Sequence, residues 1–422
     1  MKKHKKKHNS PANQKIIRAQ RKNEYMRKMK YIFNTVAGEN VFDFIPHSTL
    51  DFFYESRFRS FKLIAEPGHT IPNEVMKNVG MAISVLSKKN MIEVMPNRLK
   101  LSVYDYYNYA LSVHLLLVLI NKEKFLQQEK IMNLMHDFAS KRDDQLIVAH
   151  NEIYRLFFAL SVAYFDFDKL LFWFCYTFDK YAYAEQGLHI IIHVKVREPE
   201  SLTVSINGNP RPVYRVGWAS EANGIEWISI KPSELNIKNS FAEIPLDVYI
   251  QSHAVQRLSE RLDGIDAQML QFNVFDSLKG LKVFYDNHNN ALIEYRFHNI
   301  KVGYLVFEII EGIIVIKTFL FLTNNGTPEG QQIEKQTGLK KLDKQYLALD
   351  KLSTFMTADI LTNMEVQKTL TDMGCQSLIE LYKNTAVMYE QNKNTSVIMR
   401  MLKYLHDEKP DDMAEEDMDQ EI

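Results

Sequence analysis

The chain contains only two cysteines among its 422 residues, Cys175 and Cys375. They lie far apart and belong to no Cys-x-x-Cys or Cys/His spacing, so nothing indicates a disulfide framework or a zinc site. Cys175 lies in the apolar run of residues 171–176, which is typical of a buried thiol. We therefore expect a reducing, cytoplasmic environment, no metal site and no other cofactor.

Glycine and proline are also scarce, with 15 and 12 residues respectively, which argues against a fibrous or largely disordered chain. No glycine belongs to a phosphate-binding loop, a dinucleotide fingerprint or a Gly-x-Ser-x-Gly motif, and three common enzyme classes are thereby disfavoured. The hydrophobic fraction of 46% and the charged fraction of 25% are typical of a globular protein. The length suffices for roughly two or three domains.

Apolar runs long enough to cross a bilayer, roughly 20 residues, are missing as well. The run at residues 110–120 and the interrupted run at residues 156–176 are expected to form buried helices. Residues 1–30 are basic and polar and lack the apolar core of a secretory signal. The sequence thus predicts no membrane partner and a cytoplasmic location.

The chain has no net charge, since 52 basic side chains balance 52 acidic ones, but its two ends are opposite in sign. Residues 1–30 contain twelve Lys and Arg and one Glu, whereas residues 407–422 contain nine acidic residues and one Lys. Such charge blocks are usually disordered, and a basic one attracts nucleic acid by releasing counterions. A solvated tail that only aids solubility is the alternative. The candidate nucleic-acid-binding residues of the basic arm are Lys2, Lys3, Lys5, Lys6, Lys7, Arg18, Arg21 and Lys22.

Periodicity predicts a multi-domain α+β protein. Apolar residues at helical spacing follow Pro72, and the pattern stays mainly helical, residues 166–183 included, until it becomes β-branched after Gly187. Thr327-Pro328 then has the signature of a helix start. The predicted segments are a disordered basic arm (1–30), a helical domain (31–185), a small antiparallel β region (186–244), an α+β module (245–325), C-terminal helices (326–406) and a disordered acidic tail (407–422).

The α+β module begins with the string Ser252 to Arg261, which contains the most chemically suggestive spacing in the chain. On a helix, His253, Arg257 and Arg261 share one face. The four strands predicted after it contain Tyr295, Arg296 and Lys317. Metal-free RNA cleavage needs a general base, an acid and cations around the phosphate, which these residue types supply. The alternative is the polar side of an ordinary amphipathic helix.

The string His-Ala-x-x-Arg-x-x-x-Arg after a short strand, followed by a β-meander, resembles the RelE- and BrnT-like toxin group. The resemblance covers residues 245–325 only and implies helices ahead of a curved antiparallel sheet. Active members of that group cut RNA with basic, His and Tyr residues, and His253, Arg257 and Arg261 are the matching positions here. This chain departs from the group in its length and neutral charge, and its strand at residues 312–320 ends in apolar side chains. The fold could therefore be retained without nuclease activity.

Three further patterns have a functional and a structural interpretation each. His114, His136-Asp137 and Asp166 are similar to the ligand order of HD-type metal phosphohydrolases, although His114 lies on a very apolar helix and fits a core histidine better. His189 and His193 share one strand face but are roughly 13 Å apart, too far to bind one metal ion. Trp218 and Trp227 flank a turn, where a hairpin core pair is favoured over a stacking platform.

We conclude from the sequence that this is a nucleic-acid-associated protein of a toxin, phage or mobile-element type. Its candidate activity is metal-independent endoribonuclease cleavage through the His253 helix, with RNA or another nucleic acid as partner. The candidate catalytic residues are His253, Arg257, Arg261, Tyr295, Arg296 and Lys317. The alternative is a non-enzymatic structural or adaptor protein that binds a protein partner, or a second copy of itself, through its charged termini and helical domain.

Overall fold

The computed structural model describes residues 11–66, 70–122, 126–179, 187–220, 224–237, 241–286, 291–356 and 363–389. These residues form two compact units. The first comprises the described residues up to Ser161 together with Phe172–Arg197, and the second comprises Val162–Leu171 and the described residues from Glu198 onward. Both helices and sheets are present, which confirms the multi-domain α+β class.

Helices make up most of the first unit. A π-helical stretch, Tyr106–Ala110, joins the fourth of them to the fifth, and the last extends slightly into the second unit. The helices are α1 (Pro11–Ala37), α2 (His47–Ser56), α3 (Asn73–Lys89), α4 (Val103–Asp105), α5 (Leu111–Lys122), α6 (Gln128–Leu134), α7 (His136–Ala139) and α8 (Arg142–Tyr164). The helix predicted after Pro72 is confirmed as α3.

The first unit also contains strands, all but the last of them in the segment 31–185 for which the sequence predicts helices. They are β1 (Phe58–Ala65), β2 (Met91–Met95), β3 (Leu99–Ser102), β4 (Leu171–Phe178) and β5 (Leu188–Arg197). They form a three-stranded sheet in the order β1-β5-β4, in which β1 is parallel to β5, and the antiparallel hairpin β2–β3. The helix predicted at residues 166–183 is therefore wrong. Its aromatic run favours a strand by propensity, but periodicity cannot distinguish a short apolar strand from a buried helix.

The described part of the basic arm is helical. Residues 11–30, which were predicted to be disordered, belong to α1. The helix buries Tyr25, Met29, Phe33 and Val36, whose spacing places them on one side. This apolar stripe begins inside the basic segment. A prediction from charge density alone therefore misses the helix. The predicted basic residues Lys2, Lys3, Lys5, Lys6 and Lys7 and the acidic tail at 407–422 lie outside the described residues.

The second unit contains one large sheet. Its order is β12-β13-β14-β15-β11-β7-β6, with β10 paired to β11, and β8 and β9 form a separate hairpin. The strands are β6 (Ser201–Ile206), β7 (Asn209–Arg215), β8 (Gly217–Ser220), β9 (Gly224–Trp227), β10 (Ser229–Ile230), β11 (Leu246–Gln251), β12 (Val283–Tyr285), β13 (Ala291–Phe297), β14 (Ile300–Ile310) and β15 (Ile313–Phe321). The predicted meander is confirmed as antiparallel β12 to β15, and β11 pairs with β15 in parallel.

This sheet crosses the segment boundary that we predicted at residues 244/245. β6 and β7 come from the supposed small β region, yet β7 pairs with β11 of the α+β module. β5, from the same region, belongs to the first unit. The two predicted segments are therefore not separate, because pairing with β7 satisfies an edge of β11 that would otherwise expose its backbone groups.

The second unit also contains helices. They are α9 (Ser252–Arg261), α10 (Ala267–Lys279), α11 (Pro328–Thr337), α12 (Lys341–Tyr346), α13 (Leu352–Phe355), α14 (Met364–Asp372) and α15 (Gln376–Tyr389). α9 contacts β15 and β11, and α10 contacts β13. The predicted start of α11 is confirmed, since the Thr327 hydroxyl accepts a hydrogen bond from the Gly330 amide at 2.9 Å. Gly338 ends that helix at a positive φ of 74°.

Two helical stretches among the described residues, Val103–Ile120 and Arg142–Tyr164, are long and apolar enough to cross a membrane by length and composition alone. The apolar window of the first is 61% buried within the protein. Core helices meet the same criterion, so this property is weak evidence for a membrane span.

Candidate functional site

The His253 helix has the amphipathic form that the sequence left as an alternative. Ala254 and Leu258 are fully buried against the sheet, whereas His253 is exposed and makes no hydrogen bond or ion pair with another described residue. Arg257 lies one turn later and forms an ion pair with Glu260 of the same helix, with Nη1 2.7 Å from Oε2. Both partners are 39% exposed, so the pair is of the surface kind.

Arg261, the last residue of α9, pairs with a buried carboxylate instead. Its guanidinium forms an ion pair with Asp350, whose side chain is only 4% exposed. Nearby, the carboxylate of Asp263 accepts hydrogen bonds from the amide and the hydroxyl of Ser353, at 2.9 and 2.7 Å. The end of α9 is thus joined to a segment about ninety residues further along the chain. Arg261 thus links α9 to the segment around Asp350, and its guanidinium is not available for a phosphate.

Tyr295 cannot act on a substrate from its position. Its side chain has no solvent exposure, its hydroxyl donates to the Leu270 carbonyl at 3.0 Å, and its ring packs against Phe319. Burial raises the pKa of Tyr295 well above its usual value. The candidate catalytic role of Tyr295 is therefore corrected to that of a core residue.

The remaining two candidates are each bound to a neighbouring carboxylate. Arg296 Nε lies 2.7 Å from Glu294 Oε1, and its Nη2 donates to the Gly280 carbonyl at 3.0 Å. Lys317 Nζ lies 2.7 Å from Glu308 Oε2 across the β14–β15 pair. Of the six predicted catalytic residues, five thus have intramolecular partners of their own, and these contacts do not assemble them around a common substrate position.

The histidines of the proposed metal site are not arranged as ligands. His114 is buried, its Nε2 lies 2.9 Å from the Tyr106 hydroxyl, and burial lowers its pKa to about 4. Asp166 instead pairs with Lys169 at 2.8 Å and accepts from Gln271. Within the described ranges, no three His, Cys, Asp or Glu side chains come together as metal ligands. The core-histidine interpretation of His114 fits its contacts.

The other histidines and tryptophans of interest also have structural partners. His193 lies between Glu66, 2.6 Å from Nδ1, and Thr177, 2.9 Å from Nε2. His189 is hydrogen-bonded to Ser60 at 3.1 Å. Trp218 is 2% exposed and packs on Phe165 with ring centroids 4.5 Å apart, as a core residue does.

The first unit, in contrast, has a basic helix, α1, part of whose charge is paired with carboxylates. The helix contains seven Lys and Arg residues and one Glu. Four of the basic side chains pair with acidic residues of other elements, in Arg18–Glu55, Lys22–Asp51, Lys28–Asp105 and Lys30–Asp43. Lys15, Arg21 and Arg27 have no carboxylate of a described residue within 4 Å and are exposed. Of the predicted nucleic-acid-binding residues, Arg21 is therefore exposed and free of an ion pair, whereas Arg18 and Lys22 are paired.

Lys28 of α1 also lines an open cleft of about 470 Å³ within this unit. Lys88 comes from the last turn of α3 and Lys100 from β3, so three elements each contribute a lysine to the lining of the cleft. The cleft is completed by Met91, Leu101, Ser102, Tyr104 and Asp105. The β2–β3 hairpin places Lys100 opposite Glu93, and Ser102 caps α4 by accepting from the Asp105 amide at 3.0 Å.

Only weak contacts hold these ammonium groups in place. Lys28 is 4.0 Å from Asp105 and 48% exposed, and Lys100 is 3.9 Å from Glu93 and 64% exposed. Lys88 lies over the ring of Tyr104, 5.7 Å from its centroid. Exposed pairs at such distances are worth less than about 1 kcal/mol. A phosphate could therefore replace each partner at little cost.

The lysine cleft was not found by sequence reasoning. Lys88 and Lys100 are ordinary exposed positions of a helix end and a hairpin, and Lys28 is one of many basic residues in its segment. They converge only because α1, α3 and β3 pack together, which no local pattern expresses.

Comparison with protein-family models, with curated proteins and with solved structures finds no match for the chain.

Proposed function

We propose that this protein binds single-stranded nucleic acid, RNA in the first place, through the basic surface of α1 and the adjoining lysine cleft, and that the His253 helix does not cleave it. The observation that supports the proposal best is the position of Lys28. It places the cleft next to a helix with seven basic side chains and one acidic one. Such a surface binds along a phosphate backbone through electrostatic attraction and the release of counterions.

The burial pattern of α1 favours a nucleic acid over a membrane surface. A helix that binds lipid needs its apolar face free to enter the headgroup region. Here Tyr25, Met29, Phe33 and Val36 are buried within the unit. The exposed side is mainly polar and charged, with Ile16 and Tyr31 as its large exposed apolar residues, and it fits a soluble polyanion better than a lipid surface.

An aromatic ring beside the lysines favours a single strand over a duplex. Tyr104 is half-buried at the wall of the cleft. Bases stack on such rings only when they are not already stacked in a helix, and the phosphates of the same strand then reach the nearby ammonium groups. RNA and DNA share this chemistry, and the assay below compares both.

The first prediction concerns the three α1 residues that lack an ion pair. We expect K15Q/R21Q/R27Q to weaken binding to a fluorescent single-stranded 20-mer of RNA. It should also reduce the slope of log affinity against log salt by about 2, since each phosphate contact in single strands contributes about 0.7. Fluorescence anisotropy between 50 and 200 mM KCl, about the range over which this effect is large, measures both quantities.

A matched control removes the same charge elsewhere. Lys335, Lys341 and Lys368 are exposed residues of the second unit, and K335Q/K341Q/K368Q should keep the wild-type slope. An equal loss of affinity and of salt slope in both triple variants would mean that net charge alone causes the effect. It would contradict the proposed surface. A DNA strand of the same sequence shows whether the sugar matters. Binding of anionic vesicles but of neither strand would overturn the proposal in favour of a membrane.

The second prediction concerns cleavage. We expect wild type and H253A to leave end-labelled RNA equally intact during prolonged incubation without metal, because Tyr295 is enclosed in the core and Arg261 is committed to Asp350. Denaturing gel electrophoresis measures the intact fraction. Cleavage by wild type that disappears in H253A would restore the endoribonuclease hypothesis.

A further inference from the structure

The lysine cleft concentrates more positive charge than a chain phosphodiester needs. Three lysines and one carboxylate, that of Asp105, line it, which gives the lining a net charge of +2, while Glu93 contacts Lys100 from beside it. A phosphodiester has a single negative charge. A phosphate monoester has about −1.5 to −2 at neutral pH and three acceptor oxygens. The charge of the lining side chains is therefore closer to that of a monoester than to that of a diester.

Its size fits one nucleotide. Small-ligand sites range from about 300 to 1,000 Å³, and this cleft, at about 470 Å³, lies in the lower half of that range.

The walls provide a position for a base next to the position for a phosphate. The ring of Tyr104 is held by an edge contact with Phe58, whose centroid lies 5.7 Å away. Lys88 Nζ lies over the same ring. Met91 and Leu101 add apolar surface beside it. A base that displaces the Lys88 ammonium group from the Tyr104 ring would leave this group next to its own phosphate.

From this geometry we infer that the cleft binds the terminal nucleotide of a strand, with Lys28, Lys88 and Lys100 around a terminal phosphate monoester and Tyr104 against the base. The inference rests on the proposed binding of single-stranded nucleic acid and adds recognition of the strand end to it. The same chemistry serves a 5′- or a 3′-phosphate, and the experiment distinguishes the two.

The test compares three RNA 12-mers of one sequence that have a 5′-phosphate, a 3′-phosphate or hydroxyls at both ends, each with its fluorophore on an internal base. We expect one phosphorylated strand to bind about tenfold more tightly than the hydroxyl strand in anisotropy titrations. K88Q/K100Q should bring its affinity down to that of the hydroxyl strand. K335Q/K341Q, which removes the same charge from the second unit, should keep the full preference.

The outcomes separate this inference from the proposal beneath it. Equal affinity for all three strands, with a steep salt dependence, overturns end recognition and leaves single-strand binding intact. No binding of any strand overturns both. If K88Q/K100Q still prefers the phosphorylated strand, the strand end is recognised elsewhere, and the role proposed for the cleft is wrong. Since both lysines are exposed, the variant should fold, and an unchanged thermal unfolding curve verifies this. Y104L provides a second test, because it should lower the affinity for the phosphorylated strand while the lysines remain.

Discussion

Replacing Arg261 by methionine should lower the free energy of unfolding by about 3 kcal/mol. The guanidinium is 13% exposed, and its partner Asp350 is 4% exposed. Methionine fills much of the volume of the arginine stem but leaves the carboxylate of Asp350 buried without a cation. Removing one partner of a buried pair costs far more than the pair contributes. Urea denaturation at pH 7, followed by tryptophan fluorescence, measures the change.

Arg257 provides the matched control, because it lies one turn earlier on the same helix and its partner Glu260 is exposed. R257M should change the free energy of unfolding by less than about 0.5 kcal/mol. The double variant R261M/D350L should recover most of the loss, since a buried pair replaced by apolar residues is often neutral. If R261M and R257M lower the free energy of unfolding equally, the Arg261–Asp350 pair contributes no more to stability in solution than the exposed pair does.

These two arginines show what the sequence could and could not predict about the site. Spacing correctly placed His253, Arg257 and Arg261 along one helix with an apolar opposite side. It could not predict their partners, because Asp350 lies 89 residues from Arg261 in the chain. Whether a cation is free to bind phosphate depends on such distant carboxylates. The same holds for Arg296 and Lys317, whose partners are Glu294 and Glu308.

The fold was predictable where a local pattern was strong. The turns and alternating residues of the meander located β13 to β15, and a capping threonine with proline located α11. Where β4 lies the sequence predicts a helix instead, because the periodicity of a short apolar segment is ambiguous. The parallel pairing of β11 with β15 joins residues far apart in sequence, and only the packed sheet decides it.

Lys344 is a feature that sequence reasoning would place at the surface of a short charged helix. Its side chain is instead 2% exposed, and its Nζ donates to the Gly330 carbonyl at 2.7 Å. Burial lowers the pKa of Lys344 from 10.5 to about 8, an effect that Glu334 and Cys375 only partly oppose. At neutral pH the folded protein therefore holds a buried ammonium group at an energetic cost.

We expect K344M to raise the free energy of unfolding at pH 7 by about 2 kcal/mol. Removing the buried charge gains about 3 kcal/mol, because a pKa lowered by this amount corresponds to that difference. The lost hydrogen bond to Gly330 costs about 1 kcal/mol. Urea denaturation of both proteins at a series of pH values measures the difference.

The pH dependence identifies the cause of this gain. Below pH 8 the lysine is charged in both the folded and the unfolded state of the wild type, so the full cost of burial is present. Between pH 8 and 10.5 the folded state releases the proton while the unfolded state retains it, and the wild type gains stability. The advantage of K344M should therefore shrink over this range and reverse by about 1 kcal/mol above it. The buried tyrosines titrate equally in both proteins and cancel in the difference, and burial raises the pKa of folded Cys375 to about 12, above this pH range. K341M, at an exposed neighbouring lysine, should show no such trend, and a pH-independent gain in K344M would attribute the effect to packing alone.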